Sequence, residues 1–298
     1  MNNYKRINWQ TGMEITPQVL IDADNFQIEQ QNTIRRLQVM PCYGLLPESV
    51  FNAEIRIEGN ILLINNLIIQ AITPQGELID INEQGKEYAQ FDLSQYRQNA
   101  QLYINLNYSD LNYSDSMNPN RETLCITPDF NRSSRKDFAL MPIAKINNDI
   151  LDHSYIPPCI SINSHQKLWQ KFNEIREKIS NLLTEIKEQE KYKPILWPLS
   201  LLELELNNHS ETGNYSELMT PSNLFLLIKK IALHFKLNNS ETLEKTEKLL
   251  NATYCHTEIY NVMALILDSL CELEEMVKMP IIVEETKPQL KRIQIAVK

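Results

Sequence analysis

The most reactive side chains in the sequence are Cys255 and His256, which are neighbours. A thiol beside an imidazole can be activated as a nucleophile. Successive residues on a helix point in different directions, however. The pair therefore reads as the partly buried start of a helix, with a thiol-dependent enzyme as the chemical alternative. His153, His165, His209 and His234 are scattered, and His165 stands where a helix cap or a surface residue belongs. There is no glycine-rich phosphate loop, Gly-x-Ser-x-Gly elbow, His-Glu-x-x-His or Cys-x-x-Cys. Asp110 and Asp115 recur in a tandem Asn-Tyr-Ser-Asp that reads as a loop tip, at a spacing that does not match a calcium loop. We expect no catalytic residue, no metal ligand and no cofactor.

The totals exclude further classes. With 298 residues and 43% hydrophobic content the chain can fold as two domains of ordinary size. Its formal charge of −9 repels a nucleic-acid backbone, and the basic clusters Arg35-Arg36 and Arg132–Lys136 are short. We expect no nucleic-acid partner. The opening Met-Asn-Asn-Tyr-Lys-Arg is followed by no apolar signal segment, and no apolar run approaches the roughly 20 residues that span a bilayer. The expectation is a cytoplasmic protein without direct membrane insertion. Five widely spaced cysteines fit reduced, mostly buried thiols.

Turn formers and helix formers divide the chain. Gly12, Gly44, Gly59, Gly76 and Gly85 all precede residue 165, and Asp268 is the one aspartate after it. Residues 1–164 read as a β-rich domain with an N-terminal helix. Thr16-Pro17 predicts a helix start, and Val19, Leu20, Ala23, Phe26, Ile34 and Leu37 give it an apolar period over 17–38, ended by Pro41. Short strands follow: Phe51–Ile57, Ile61–Ile64, Leu67–Ile72, Leu78–Ile81 and Leu140–Ile146. Leu102–Tyr108 alternates as a half-buried strand. Gly-containing turns at Glu58–Asn60 and Pro74–Glu77 separate the early strands, so the expected fold is α+β, with an antiparallel β-sandwich preceding the helices.

Tyr155-Ile156-Pro157-Pro158 is a stiff extended joint, and Ser164 offers an N-cap behind it. Residues 165–279 then read as a helical bundle. Leu168, Phe172, Ile175, Ile179, Leu182 and Ile186 recur at steps of four and three. The same heptad returns at Ile259, Met263, Ile266, Leu270 and Leu273. Such stripes are either the core of a monomeric bundle or the seam between chains. Trp169 and Leu183 beside the first stripe favour the second, and we expect self-association through these residues. Helices are also expected over Ile195–Leu206, from Thr220, and through Leu243–Leu250, with polar loops between them. Glu174/Lys178, Glu241/Lys245 and Glu244/Lys248 have the favourable i,i+4 order. Residues 280–298 form a short tail in which Ile281–Val283 and Arg292–Val297 read as strands.

Four motifs in register carry a resemblance. Trp9-x-x-Gly12-Met13-x-x-x-Pro17-Gln18 resembles the opening motif of the TssK family, baseplate proteins of type VI secretion systems, although Val19-Leu20 stand where that family usually has His-Phe. Tyr43-Gly44-Leu45, Thr73-Pro-Gln-Gly76 and Tyr155-Ile-Pro-Pro-Cys-Ile-Ser-Ile162 are similar to later family motifs in the same order. The resemblance covers about residues 4–275. It implies a shell domain like the shoulder of phage receptor-binding proteins, followed by a helical neck that forms a homotrimer. It also implies binding to a wedge of TssF and TssG, an anchor on the membrane side, and a place at the inner face of the inner membrane. Trp9, Gly12, Met13, Pro17 and Gln18 would then lie at the wedge interface; the alternative is that Trp9 and Met13 lock the N-terminus onto the sheet. The family's C-terminal head has no counterpart in the tail, which points to a short and divergent form, of a Bacteroidetes type by its Asn- and Ile-rich composition. A phage-tail receptor-binding or fibre-type protein of the same plan is the alternative function.

Overall fold

The structure, a computed structural model, describes residues 6–40, 42–96, 101–107, 124–127, 140–211, 219–238 and 243–279. Thr16 caps the first helix, α1 (Pro17–Val39), by accepting from the Val19 amide, with Pro17 in the first turn as predicted. Pro41 lies outside the described residues. Two four-stranded antiparallel sheets follow. The first holds β1 (Gly44–Leu45), β2 (Asn52–Glu58), β3 (Ile61–Ile72) and β4 (Leu78–Asp92). In it β3 pairs with β1 and β2 along one edge and with β4 along the other. The second, in the order β6-β5-β7-β8, holds β5 (Gln101–Asn107), β6 (Leu124–Thr127), β7 (Leu140–Asn147) and β8 (Ile150–Leu151).

Three strand expectations change. Ile61–Ile64 and Leu67–Ile72 are one strand, β3, with an irregularity at Asn65–Asn66. β4 runs eleven residues beyond the predicted Leu78–Ile81, because pairing with β3 sustains a strand whose own composition is polar. Gly85, at φ +73, takes up the register shift, and its amide bonds the Asn66 side chain. Leu102–Leu106 is buried on both faces, not on one. The face carrying Tyr103 is covered by the segment leading into the last helix, where Glu258 accepts from the Tyr103 hydroxyl at 2.6 Å. The tandem Asn-Tyr-Ser-Asp and the predicted tail strands lie outside the described residues.

Helices occupy the second half: α2 (Gln166–Ile186), α3 (Lys193–Glu211), α4 (Pro221–Asn238), α5 (Glu244–Asn251) and α6 (Ile259–Lys278). α3 starts two residues before the predicted Ile195 and continues to Glu211, with Pro194 and Pro198 inside it. The cap of α2 is His165, whose Nδ1 accepts from the Lys167 amide at 3.2 Å. Ser164, the expected cap, closes a capping box with Ser161 one turn earlier. α2 packs on α6 and α3, α3 on α4, and α4 on α5 and α6, which closes a bundle. α2 and α6 both leave the sheets and run alongside each other. Lys178 reaches Glu274 at 3.1 Å, and the Gln189 side chain donates to the Val277 carbonyl at 3.2 Å. Lys178 therefore pairs across the helices instead of with Glu174, whereas Glu244–Lys248 forms as expected.

Between sheets and bundle lies the irregular stretch 155–162. It forms a parallel bridge to β1, with the Leu45 amide donating to Pro158 O at 2.8 Å and the Ile160 amide donating to Leu45 O at 3.1 Å. This close approach requires Gly44. Its φ is +116, and an added Cβ would stand 1.9 Å from the Pro158 carbonyl oxygen. Gly44→Ala is therefore expected to lower the unfolding free energy by at least about 2 kcal/mol, measured by denaturant titration. Unchanged stability would show that the bridge does not hold the joint.

His165 predicts an acid limb. Burial against Phe51 and the nearby Lys167 charge hold its imidazole down at about 4, below the ordinary 6.5. Between those values the unfolded chain takes up a proton that folded His165 refuses, so stability falls as pH drops from about 6.5 to about 4. The loss expected is at most about 3 kcal/mol. His165→Asn keeps a capping acceptor and should flatten that part of a stability–pH profile; an identical slope would dispose of the assignment.

Candidate interaction surfaces and the joint behind them

Apolar residues on these helices divide into two sets. The heptad positions Leu168, Phe172, Ile175, Ile179, Leu182 and Ile186 face into the chain, as do Ile259, Met263, Ile266, Leu270 and Leu273. None is more than 1% exposed. They are the mutual seam of α2 and α6 and of the helices around them, worth about 1.5–3 kcal/mol for each fully buried side chain. The expectation that they join separate chains is corrected in this respect: they are consumed by packing within one chain. A contact between copies has to use outward faces.

One such face is strongly apolar. On α3, Trp197, Leu201 and Leu204 follow one another at steps of four and three, opposite the buried Ile195, Leu199, Leu202 and Leu206. On α4, Leu226, Leu233 and Leu237 lie on the side away from Phe225, Ile228 and Phe235. Trp197 and Leu237 are each 73% exposed. The two helices are antiparallel neighbours. Tyr192 and Phe235 meet at the end away from the sheets, with ring centroids 6.0 Å apart, while the Ile162 amide bonds Met219 O at the sheet end. Trp197 and Leu237 thus lie toward one end of the strip and Leu204 and Leu226 toward the other.

The N-terminal segment gives a second exposed surface. Trp9, Met13 and Ile15 are exposed, so Trp9 and Met13 do not lock this segment onto the sheet. Gly12, at φ +84, turns the chain, and Pro17 and Gln18 begin α1 on its exposed side. No residue of α1 is buried. Leu20, Ile34 and Leu37, expected to face a core, are more than half exposed. The reason is the narrow contact that α1 makes. It meets the Thr73–Glu77 turn at Gly76, where an added Cβ would stand 1.9 Å from Asn32 O.

Both surfaces are carried by a joint of buried polar contacts. Tyr155, Ile156, Pro157 and Pro158, the predicted joint, are all buried. The Tyr155 hydroxyl donates to Thr257 O at 3.2 Å. Burial, with Glu258 nearby, pushes the Tyr155 phenol well above its ordinary value, so it remains a donor. Lys145, its side chain 7% exposed, is held by both oxygens of Glu258 at 2.9 and 3.0 Å. His256 bridges the two halves: Nε2 lies 2.6 Å from Tyr43 O, and Nδ1 lies 2.7 Å from the Tyr254 hydroxyl.

This engagement also answers the thiol reading. The His256 nitrogens are occupied by Tyr43 and Tyr254, while exposed Cys255 lies 3.4 Å from the Thr257 hydroxyl. The two side chains are not assembled as a nucleophile and its base. Burial pushes the Cys42 and Cys159 thiols up, which keeps both protonated and unreactive. Among the described residues no three His, Cys, Asp or Glu side chains gather for a metal, and no helix is long and apolar enough to cross a membrane.

Comparisons with known proteins agree with this architecture. A family model described as Bacterial Type VI secretion, VC_A0110, EvfL, ImpJ, VasE matches residues 66–194, a span from β3 through the joint and α2. No curated protein sequence matches. Among solved structures, a chain of the cryo-electron microscopy structure of the type VI secretion system TssK–TssF–TssG baseplate subcomplex is similar at TM-score 0.65 and 17% identity, covering 92% of this chain and 100% of that one. TssK from the EAEC type VI secretion system, in complex with nanobody nb18, is similar at TM-score 0.60 and 16% identity, over 86% of this chain and 99% of that one. A crystal structure of TssK is similar at TM-score 0.62 and 10% identity, over 90% and 70% of the respective chains. At these identities the likeness to the solved structures is one of fold.

Glu258 is the test of the joint. Glu258→Ala leaves the Lys145 ammonium buried without its carboxylate, and the expected loss of stability is about 3 kcal/mol. Replacing both residues, Lys145→Met with Glu258→Ala, should cost clearly less than the sum of Lys145→Met and Glu258→Ala made singly. Additive losses in this double-mutant cycle would show that the pair does not couple sheet to helix.

Proposed function

We propose that this chain is a member of the TssK family and serves as a structural baseplate subunit of a type VI secretion system, without catalysis. Residues 1–164 serve as the shell, 165–279 as the neck and 280–298 as a tail. The observation that carries the reading is the family match over 66–194. It spans the sheet-to-helix joint, the feature on which a rigid two-part subunit depends.

The subunit works as a homotrimer, and the copies meet through the α3–α4 strip. Support comes from the strip's heptad-like spacing on α3 and from its extent. Six large apolar side chains, each close to half exposed or more, present an area of the order that one partner gives to a standard interface, about 800 Å². The same strips of the two other copies, gathered about a threefold axis, are the occupants of matching chemistry and length. The exposed side chains from Trp9 through α1 are then free to meet TssF- and TssG-like wedge proteins; the similar solved chain belongs to a TssK–TssF–TssG baseplate subcomplex. The partner on the membrane side is an anchor in the membrane complex. Three linked shells gripping wedge proteins gain avidity from contacts that are individually weak.

Light scattering on the purified chain tests the assembly. The wild type should run as a trimer at micromolar concentration. Leu201→Glu with Leu233→Glu should give a monomer with unchanged helical circular dichroism, because these side chains lie outside the core. Ile179→Asp should instead unfold the bundle. A Leu201→Glu/Leu233→Glu chain that remains trimeric would sink the strip assignment. A wild type that fails to co-purify with its neighbouring wedge proteins would sink the baseplate role.

A further inference from the structure

β2 and β8 are the outer strands of their sheets. Among the described residues β2 pairs only with β3, and β8 only with β7. The two lie close together, and a cleft of about 500 Å³ opens between them. Ile55 and Ile57 line it from β2, and Ile150 and Leu151 from β8. Ile150 is 70% exposed, carried past a tight turn in which Asn148 and Asp149 both have positive φ. Glu58, Asp149, Arg56 and His153 also line the cleft. Arg56 pairs with Glu54, and among the described residues no ion pair is found for Glu58 or Asp149.

Open strand edges, an apolar lining and two uncompensated carboxylates all specify one ligand. It is an extended basic segment with apolar side chains at alternate positions. The chain itself contains such a segment beyond the described residues. Arg292-Ile-Gln-Ile-Ala-Val297 places Ile293, Ile295 and Val297 on one face of a strand. Lys287, Lys291, Arg292 and Lys298 accompany it, with no acidic residue among them. The distance can be covered. α6 leaves the sheets at Glu258 and carries Lys278 about 30 Å away, and the stretch from Met279 to Arg292 spans up to about 45 Å when extended. We propose that Arg292–Val297 docks in the β2–β8 cleft of its own chain as an added strand. Ile293 and Ile295 meet the apolar lining, and the basic residues face Glu58 and Asp149. Docking covers two strand edges that would otherwise template pairing with other chains.

The full chain carrying Ile150→Cys and Ile295→Cys, singly and together, tests the placement. After oxidation, peptide mapping should find a 150–295 disulfide within one chain. A linkage found only between chains would hand the cleft to a neighbouring copy and overturn the proposal, as would no linkage at all. Hydrogen exchange gives a readout independent of cysteine. Ile293→Asp with Ile295→Asp should speed exchange of the outward β2 and β8 amides by about tenfold or more. Glu58→Lys with Asp149→Lys should do the same, and adding Lys291→Glu with Arg292→Glu should restore protection. Exchange that ignores these changes would overturn the docking. None of the variants touches the α3–α4 strip or α1, so such a failure would leave the assembly reading intact.

Discussion

The constraint on which the structure depends is the burial of an irregular backbone segment, residues 155–162, between two sheets and a helical bundle. Buried backbone must have hydrogen-bond partners, and a stretch without secondary structure does not supply its own. This one borrows them. Pro158 O receives the Leu45 amide, Leu45 O receives the Ile160 amide, and Met219 O receives the Ile162 amide. Pro157 and Pro158 reduce the demand, since neither has an N–H to satisfy. They also hold Ile156 and Pro157 extended, so little conformational entropy is left to lose on folding. Gly44 makes the arrangement possible by having no side chain where the Pro158 carbonyl stands.

Polar side chains complete what the backbone begins. Lys145 and Tyr103 project from the second sheet, and Glu258 from the residue that precedes α6. A buried ammonium held by both carboxylate oxygens contributes less to net stability than to registry, because desolvation offsets much of the attraction. His256 acts similarly between Tyr43 and Tyr254. These contacts explain why the buried residues form one continuous apolar cluster from Tyr43 to Val277, although composition changes abruptly at residue 164. The boundary is real in the local preferences of the chain and absent from its packing.

That difference marks what could be read beforehand. Thr16-Pro17, the Gly-containing turns and the two heptads act over a few residues, so types and spacing reveal the elements they build. Periodicity also identifies the face of a helix that is buried. It does not say what covers that face, and α2 and α6 find each other inside one chain. The strip on α3 and α4 was hidden for the opposite reason. Both helices are apolar nearly all round, and which side is outward depends on neighbours. The prolines marked the joint, but its polar contacts gave no signal, since Tyr43 and His256 are 213 residues apart and Tyr103 and Glu258 are 155 apart. His256 drew attention for its adjacency to Cys255, yet its partners lie across the fold.

Rigidity follows from this arrangement and bears on how such a subunit can act. α2 and α6 both begin at the sheets and run side by side, so displacement of the sheets is delivered to two packed helices in the same direction. A hinge at the joint would need a segment able to absorb backbone rotation, and here that segment is proline-rich, buried and hydrogen-bonded on both sides. Close-packed interiors transmit strain instead of dissipating it. Compliance is left to α1, none of whose residues is buried and which meets the Thr73–Glu77 turn where Gly76 approaches Asn32 and Arg36. A rigid frame with one loosely seated, apolar helix can keep copies in fixed relation while that helix adapts to a partner surface, and the two demands do not compete because different elements meet them.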